Sequence, residues 1–173
     1  MKGAVYHIRQ AEAEDLDRLV ELVLALQDHL EASNPDLWRM RPEARSQLRG
    51  QLTARLTAPH SCSLVVHHEE HGVIGVALGR VTTNKRYVCG RIGLVDQIFV
   101  RADHRRIGLG TRLVAGLCRF FEAEGVEELS LRYAVGNEQA AAFWTALGFS
   151  PRIITAGARP KAVQARLARV PMG

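Results

Sequence analysis

Seven consecutive residues, Arg105-Arg106-Ile107-Gly108-Leu109-Gly110-Thr111, have the make-up of an anion-binding loop. Glycines let backbone N–H groups come close to a ligand. The two arginines add charge-assisted donors that suit a pyrophosphate. Before the loop, Leu94, Val95, Ile98, Phe99 and Val100 are β-formers in a short run; after it, Leu113, Val114, Leu117, Cys118 and Phe121 recur at helical spacing. The loop therefore joins a strand to an amphipathic helix, whose first turn offers unpaired amides and a positive dipole end. Two familiar phosphate loops do not fit. Leu113 stands where G-x-G-x-x-G needs its third glycine, and Thr111-Arg112 stands where a nucleoside-triphosphate loop needs Lys-Ser/Thr. The residues alone leave two readings of R-x-x-G-x-G: a pyrophosphate nest, or a strand–helix turn with glycines for geometry and arginines for solubility.

The elements that must position this loop can be read from periodicity. Ala4 to Gln10 alternates as a first strand, and Leu16, Leu19, Val20, Val23, Leu26 and Leu30 mark a helix from about Glu14 to Glu31. Ser33-Asn34-Pro35 stops it, a loop follows through Asp36, Trp38 and Met40, and Pro42 opens a second helix that closes before Pro59. Ser61–His67 and Val73–Thr82 read as a hairpin, and Asn84–Arg91 as a loop before the central strand. Gly125 ends the central helix, Glu128–Val135 is a strand, and Asn137 is a candidate cap for a helix carrying Ala140, Phe143, Trp144 and Leu147. Phe149 to about Thr155 and Ala162–Arg169 are expected as two last strands. The fold class that results is α/β (α+β): a single mixed, mostly antiparallel central sheet of about seven strands flanked by four helices, in one domain over residues 1–173.

Composition narrows the classes. Apolar residues make up 47% and charged residues 24%, which is globular, and no apolar run approaches the roughly 18 residues of a membrane span. MKGAVYHIRQ has no signal-peptide core, so a cytoplasmic protein is expected, with no membrane partner. Cys62, Cys89 and Cys118 are odd in number and widely spaced, which indicates neither a disulfide framework nor a zinc site. The formal charge of +5 is spread from Arg9 to Arg169 without a basic run, and no recognition-helix or aromatic RNA-binding pattern accompanies it. A nucleic-acid partner is therefore not expected. His67-His68-Glu69-Glu70-His71 matches H-x-x-E-H, but that zinc pattern needs a helix and this string sits at a hairpin turn, so no metal is expected.

R-x-x-G-x-G between a strand and a helix resembles the coenzyme A pyrophosphate loop of the GNAT superfamily of N-acetyltransferases. Asn137 to Phe149, NEQAAAFWTALGF, resembles the second GNAT signature at nearly every anchor position. Both lie in the expected order and inside the right elements, and the resemblance runs from the first strand to the last. It implies acetyl-CoA as cofactor, with coenzyme A as product, and transfer of acetyl to a primary amine of a small molecule, peptide or protein by direct attack on the thioester. It also implies the cofactor contacts. Ile98, Phe99 and Val100 would lie along the pantetheine arm, in a wedge between their strand and the next. Arg105, Arg106, Ile107, Gly108, Leu109, Gly110 and Thr111 would hold the pyrophosphate, and Asn137, Phe143 and Trp144 would line the thiol end. Asn137 as a simple helix cap and Phe143 as simple core are the competing readings.

An amine of pKa about 10.4 is neutral in only about one part in 2,500 at pH 7, a cost of roughly 4.6 kcal/mol, against about 1.1 kcal/mol for an amine near 7.8. A general base thus matters most for alkyl amines. Asp96 occupies the strand position where many family members carry a glutamate base, and its shorter side chain favours a water relay; an arginine-paired strand-end aspartate is the alternative. A backbone N–H near Ile98 would polarise the carbonyl. The family's usual thiolate-protonating tyrosine is replaced by Trp144, whose indole N–H is no usable acid; Tyr133 is the candidate substitute. Acidic Glu31 and Asp36, with Trp38 and Arg39, fall where the family builds its acceptor wall. The family commonly forms homodimers, and the C-terminal strands are the expected place for one. Two rivals remain: a non-catalytic coenzyme A sensor of the same fold, motivated by Trp144, and a basic nucleic-acid-binding domain.

Overall fold

Three nearly continuous apolar runs form the hairpin and the central strand, as strands covered on both faces require. In the computed structural model, which describes residues 5–83 and 90–169, β1 is Tyr6–Gln10, β2 Ser61–His68, β3 Gly72–Thr83, β4 Arg91–Val100 and β5 Glu128–Leu131. The expected loop over residues 84–91 lies, up to residue 89, outside the described residues. The five strands form one sheet in the order β1-β2-β3-β4-β5, antiparallel except for the parallel β4–β5 pair. The helices are α1 (Leu16–Ser33), α2 (Pro35–Trp38), α3 (Pro42–Thr57), α4 (Leu109–Ala123), α5 (Glu138–Ala146) and α6 (Pro160–Leu167). The chain divides into two compact units, Met1–Arg132 and Tyr133–Gly173.

Within the first unit the sheet is covered on both faces. Leu19, Leu22 and Val23 of α1 and Leu48 and Leu52 of α3 pack with Val65, Val73, Val76 and Leu78, the spacing of each helix putting its stripe on one side. The opposite face takes α4, whose Leu113, Leu117 and Phe121 are each no more than 1% exposed. Each such side chain contributes about 1.5–3 kcal/mol by leaving water. Phe121 fits because the strands beneath it carry glycine: a Cβ on Gly79 or Gly93 would stand 2.8 Å from its ring. A hydrogen-bonded pair fixes the entry to α1, where Asp15 accepts from Arg9 at 2.6 and 2.9 Å and from the Glu12 amide at 2.9 Å.

Several expectations are corrected. The sheet has five strands among the described residues, not about seven. Phe149 to Thr155 forms no strand: Pro151 has no N–H to give, and Ile153 and Ile154 are 88% and 79% exposed. Residues 162–169 form α6 and the turn after it, since Pro160 sits at the first helical position, and Ala, Gln, Arg and Leu favour a helix with Val163 and Leu167 four apart. A dimer through C-terminal strands therefore has no strand there to form it among the described residues. β5 stops at Leu131, so Tyr133 lies beyond the strand rather than on it. Short α2 replaces the expected loop at Asp36 and Trp38, capped by the Asn34 side chain.

Candidate cofactor and acyl-transfer site

β4 carries the site because its two edges differ. Against β3 it pairs along its whole length, with one irregularity: Leu78 faces Gln97 and Gly79 faces Val95, leaving Asp96 as the extra residue of a bulge. Against β5 it pairs only from Ile92↔Glu128 to Val95↔Leu131. The ladder thus ends where the bulge re-aims the strand. Among the described residues Ile98, Phe99 and Val100 have no β5 partner on that edge, which leaves backbone groups there for an extended ligand arm, the Val100 carbonyl excepted because Arg105 binds it.

The loop after β4 is built to hold amides outward. A 3-10 turn, Ala102–His104, leads to Arg105 in extended backbone, then to Arg106 at φ 64 and Gly108 at φ 81. Glycine takes the left-handed region freely, whereas an arginine there is strained by about 1 kcal/mol or more. Gly108 is the N-cap of α4; no side chain caps the helix and no acidic residue stands in its first turn. The first amides of α4, from Leu109 to Thr111, therefore keep the orphan donors and the positive dipole end that an anion takes up. Leu109 is buried and anchors the turn, while Arg106, Ile107 and Gly108 are exposed. The two arginines have separated tasks. Arg105 donates through Nε to the Val100 carbonyl at 2.7 Å and lies 5.2 Å over the Phe99 ring, bracing the loop against β4. Arg106 is left at the surface.

Asp96 is an arginine-paired aspartate. Its Oδ2 accepts from Arg55 of α3 at 2.6 Å and from Arg80 of β3 at 3.2 Å. Both bonds fall on one oxygen. No sequence pattern singles out these two arginines, because residues 55, 80 and 96 meet only through the β3–β4 register and the packing of α3.

Tyr133, Asn137, Phe143 and Trp144 belong to the second unit. Asn137 caps α5, its Oδ1 accepting from the Ala140 amide at 3.0 Å. Trp144 is 9% exposed and sits edge-on to Phe143 at 4.9 Å and to Phe149 at 5.2 Å. Elsewhere, Asp28, Glu31, Ala32, Pro35, Met40, Pro42 and Arg45 line a depression where α1, α2 and α3 meet, with Arg45 ion-paired to Asp28. His67 to His71 runs from the end of β2 into the β2–β3 turn, and no group of three or more His, Cys, Asp or Glu is placed to hold a metal ion among the described residues. No described helix is long and apolar enough to cross a membrane.

The acetyltransferase (GNAT) family model covers residues 23–149. The chain belongs to this family. No curated protein matches its sequence. Among solved structures, a tetramutant of BH1408 from Bacillus halodurans shares the GNAT chain's fold at a TM-score of 0.78 and 17% identity, over 88% of this chain and 99% of that one. The aminoglycoside N-acetyltransferase AAC(6')-Iy, solved in complex with CoA, aligns at a TM-score of 0.70 and 22% identity, over 91% and 97%. AAC(6')-Ih from Acinetobacter baumannii aligns at 0.70 and 17%, over 90% and 99%. This GNAT chain keeps both family signatures and departs from the second at Trp144.

Proposed function

We propose that the protein is an acetyl-CoA-dependent N-acetyltransferase acting on a primary amine of a small molecule or peptide. The observation that carries this reading is the uncapped start of α4, opened by left-handed Arg106 and Gly108 and free of acidic residues in its first turn. These groups fit a pyrophosphate, and the unpaired half-edge of β4 fits an amide-bearing arm. When bound, acetyl-CoA supplies an acyl group activated as a thioester. Ile98, Phe99 and Val100 hold the arm in extended register, the amides of residues 108–111 hold the pyrophosphate, and Arg106 adds charge. A backbone N–H near Ile98 stabilises charge developing on the carbonyl oxygen.

The amine must lose a proton before or during attack. Asp96 accepts it through a water on Oδ1, with Arg55 and Arg80 fixing the carboxylate by its other oxygen. Tyr133 is the candidate substitute for the family's proton-donating tyrosine, whose place Trp144 takes with no usable proton to give. The amine acceptor is supported by solved fold relatives that are aminoglycoside N-acetyltransferases, one of them with a bisubstrate analogue.

The test is a panel of amines incubated with acetyl-CoA and the full chain, followed by thiol release. Amine-dependent release above the enzyme-free rate is the expected result. Binding of acetyl-CoA without release for any amine would leave the sensor reading in its place.

A further inference from the structure

Outside this site lies a cluster the acyl-transfer chemistry does not use. His68 of β2, His71 of the β2–β3 turn and His104 of the turn before the coenzyme A loop bring their rings together: centroids are 4.7 Å apart for His68–His71, and 5.2 Å for His68–His104 and His71–His104. Tyr6, opposite His68 across the β1–β2 ladder, closes the group at 5.0 Å from His68 and 5.9 Å from His104. His68 and His104 are 5% and 8% exposed, whereas His71 stands at the surface.

The hydrogen bonds at His68 require an unprotonated Nδ1. His68 Nδ1 accepts the amides of Glu70 and His71, at 3.1 and 3.3 Å, so a proton on that nitrogen would break the turn. His104 Nδ1 lies 3.4 Å from the Tyr6 hydroxyl, and its Nε2 is buried without a hydrogen-bond partner. Charged groups face this ring from each side. Asp103 Oδ2 is the carboxylate beside Nε2, at 3.6 Å, but it already takes a 2.7 Å bond from Arg101. Arg101, His68 and His71 all oppose a charge there, and Arg112 of α4 is bonded to the Tyr6 carbonyl at 3.3 Å. Burial, with these neighbours, holds His104 below its ordinary range despite Asp103.

His104 also has a mechanical position. Its amide closes the 3-10 turn onto the Arg101 carbonyl at 3.0 Å, and Arg105, the brace of the coenzyme A loop, is the next residue. We propose that His68, His71 and His104 form a proton-operated latch on that loop: packed neutral rings hold the turn that presents it, and protonation releases the turn and weakens cofactor binding. The latch rests on the acetyl-CoA reading above. Once His104 is charged, its Nε2–H is drawn to Asp103 Oδ2, 3.6 Å away and already held by Arg101, so the ring shifts toward the carboxylate and pulls on the turn that His104 and Arg101 close.

The test is calorimetric titration of acetyl-CoA into the full chain and into His104→Gln, between about pH 8 and about pH 4.5, a window that extends well below the ordinary histidine range. Titration of the ligand's own phosphates affects both proteins and cancels in the ratio. The wild-type dissociation constant should climb relative to the variant as pH falls, with a limiting slope of about tenfold per pH unit for one linked proton. Equal slopes in the two proteins would overturn the latch while leaving the cofactor reading intact. Absence of wild-type binding at every pH would remove the cofactor reading, and the latch with it. Should His104→Gln not fold, the wild-type histidine ring signals followed by NMR decide. Linkage requires acetyl-CoA to push the His104 titration lower still, and a titration unmoved by acetyl-CoA would overturn the proposal.

Discussion

Arg105 and Arg106 are adjacent and identical, yet the fold gives them different work. Arg105 spends its guanidinium on the Val100 carbonyl and the Phe99 ring, so Arg105→Ala should cost about 1–2 kcal/mol in urea unfolding and loosen acetyl-CoA only through the displaced loop. Arg106→Ala removes a surface charge beside the anion nest and relieves a left-handed arginine backbone of nothing but its side chain. It should raise the acetyl-CoA dissociation constant by about tenfold, with an unfolding midpoint within error of wild type. Asp96 offers a kinetic test. Asp96→Asn should lower kcat/KM for an alkyl amine of pKa about 10.4 by about 100-fold, and for an amine near 7.8 by much less, without changing acetyl-CoA affinity. Equal losses for both amines would remove it from the proton path. Asp96 could be named from the sequence because its strand position matches that of the glutamate many family members carry. Its arginine partners could not, since no periodicity links residues 55, 80 and 96.

The contact between α4 and the sheet depends on strand glycines, which gives Gly93→Ala a defined cost: its methyl group would stand 2.8 Å from both Phe121 and Leu129. A loss of about 1–3 kcal/mol is expected in denaturant unfolding, partly recovered when Phe121 is shortened to leucine. The β1–α1 junction gives a pH-dependent prediction. Hydrogen bonds from Arg9 hold the Asp15 carboxyl below its ordinary 3.8, with burial opposing and the Glu12 amide assisting. The folded state thus prefers the charged form. That contribution is fully present above about pH 4 and is lost as pH falls below it through the depressed value. Asp15→Asn should cost about 1–3 kcal/mol near neutrality and flatten the acid limb of the stability curve. Elements with strong periodicity were legible in the sequence: α1 by its leucines, α3 by Pro42 and its leucine stripe, α4 by five apolar positions between two glycine turns. The C-terminal segment was not. Phe149 to Thr155 has β-forming residues, but a strand exists only by pairing, and Ile153 and Ile154 find no partner strand within the described chain. Val163 and Leu167 fit a helix as well as a strand, and Pro160 decides for the helix. The histidine cluster was hidden for a similar reason: residues 6, 68, 71 and 104 are joined only by strand register and a turn.

For the molecule as a whole, family membership and a net charge of +5 bear on the same question, what this basic chain binds. A coenzyme A site engages a few phosphate charges, so acetyl-CoA affinity should fall only several-fold between low salt and about 0.15 M. A nucleic-acid site would lose orders of magnitude over a comparable range. The comparison is made by titrating acetyl-CoA and duplex DNA in parallel at two ionic strengths, and tight, steeply salt-dependent DNA binding would favour the rival. The central claim is narrower still: the amides opening α4 hold the pyrophosphate of acetyl-CoA. Its most direct test is calorimetric titration of acetyl-CoA into the wild-type chain and Gly108→Glu, with thermal unfolding of both. Glutamate sets a carboxylate against the anion nest at an exposed, uncrowded position, at the cost of a left-handed backbone. The account predicts saturable binding to the wild type, none to the variant, and only a modest drop in melting temperature. Equal binding by the two proteins, or no wild-type binding at millimolar acetyl-CoA, would contradict it.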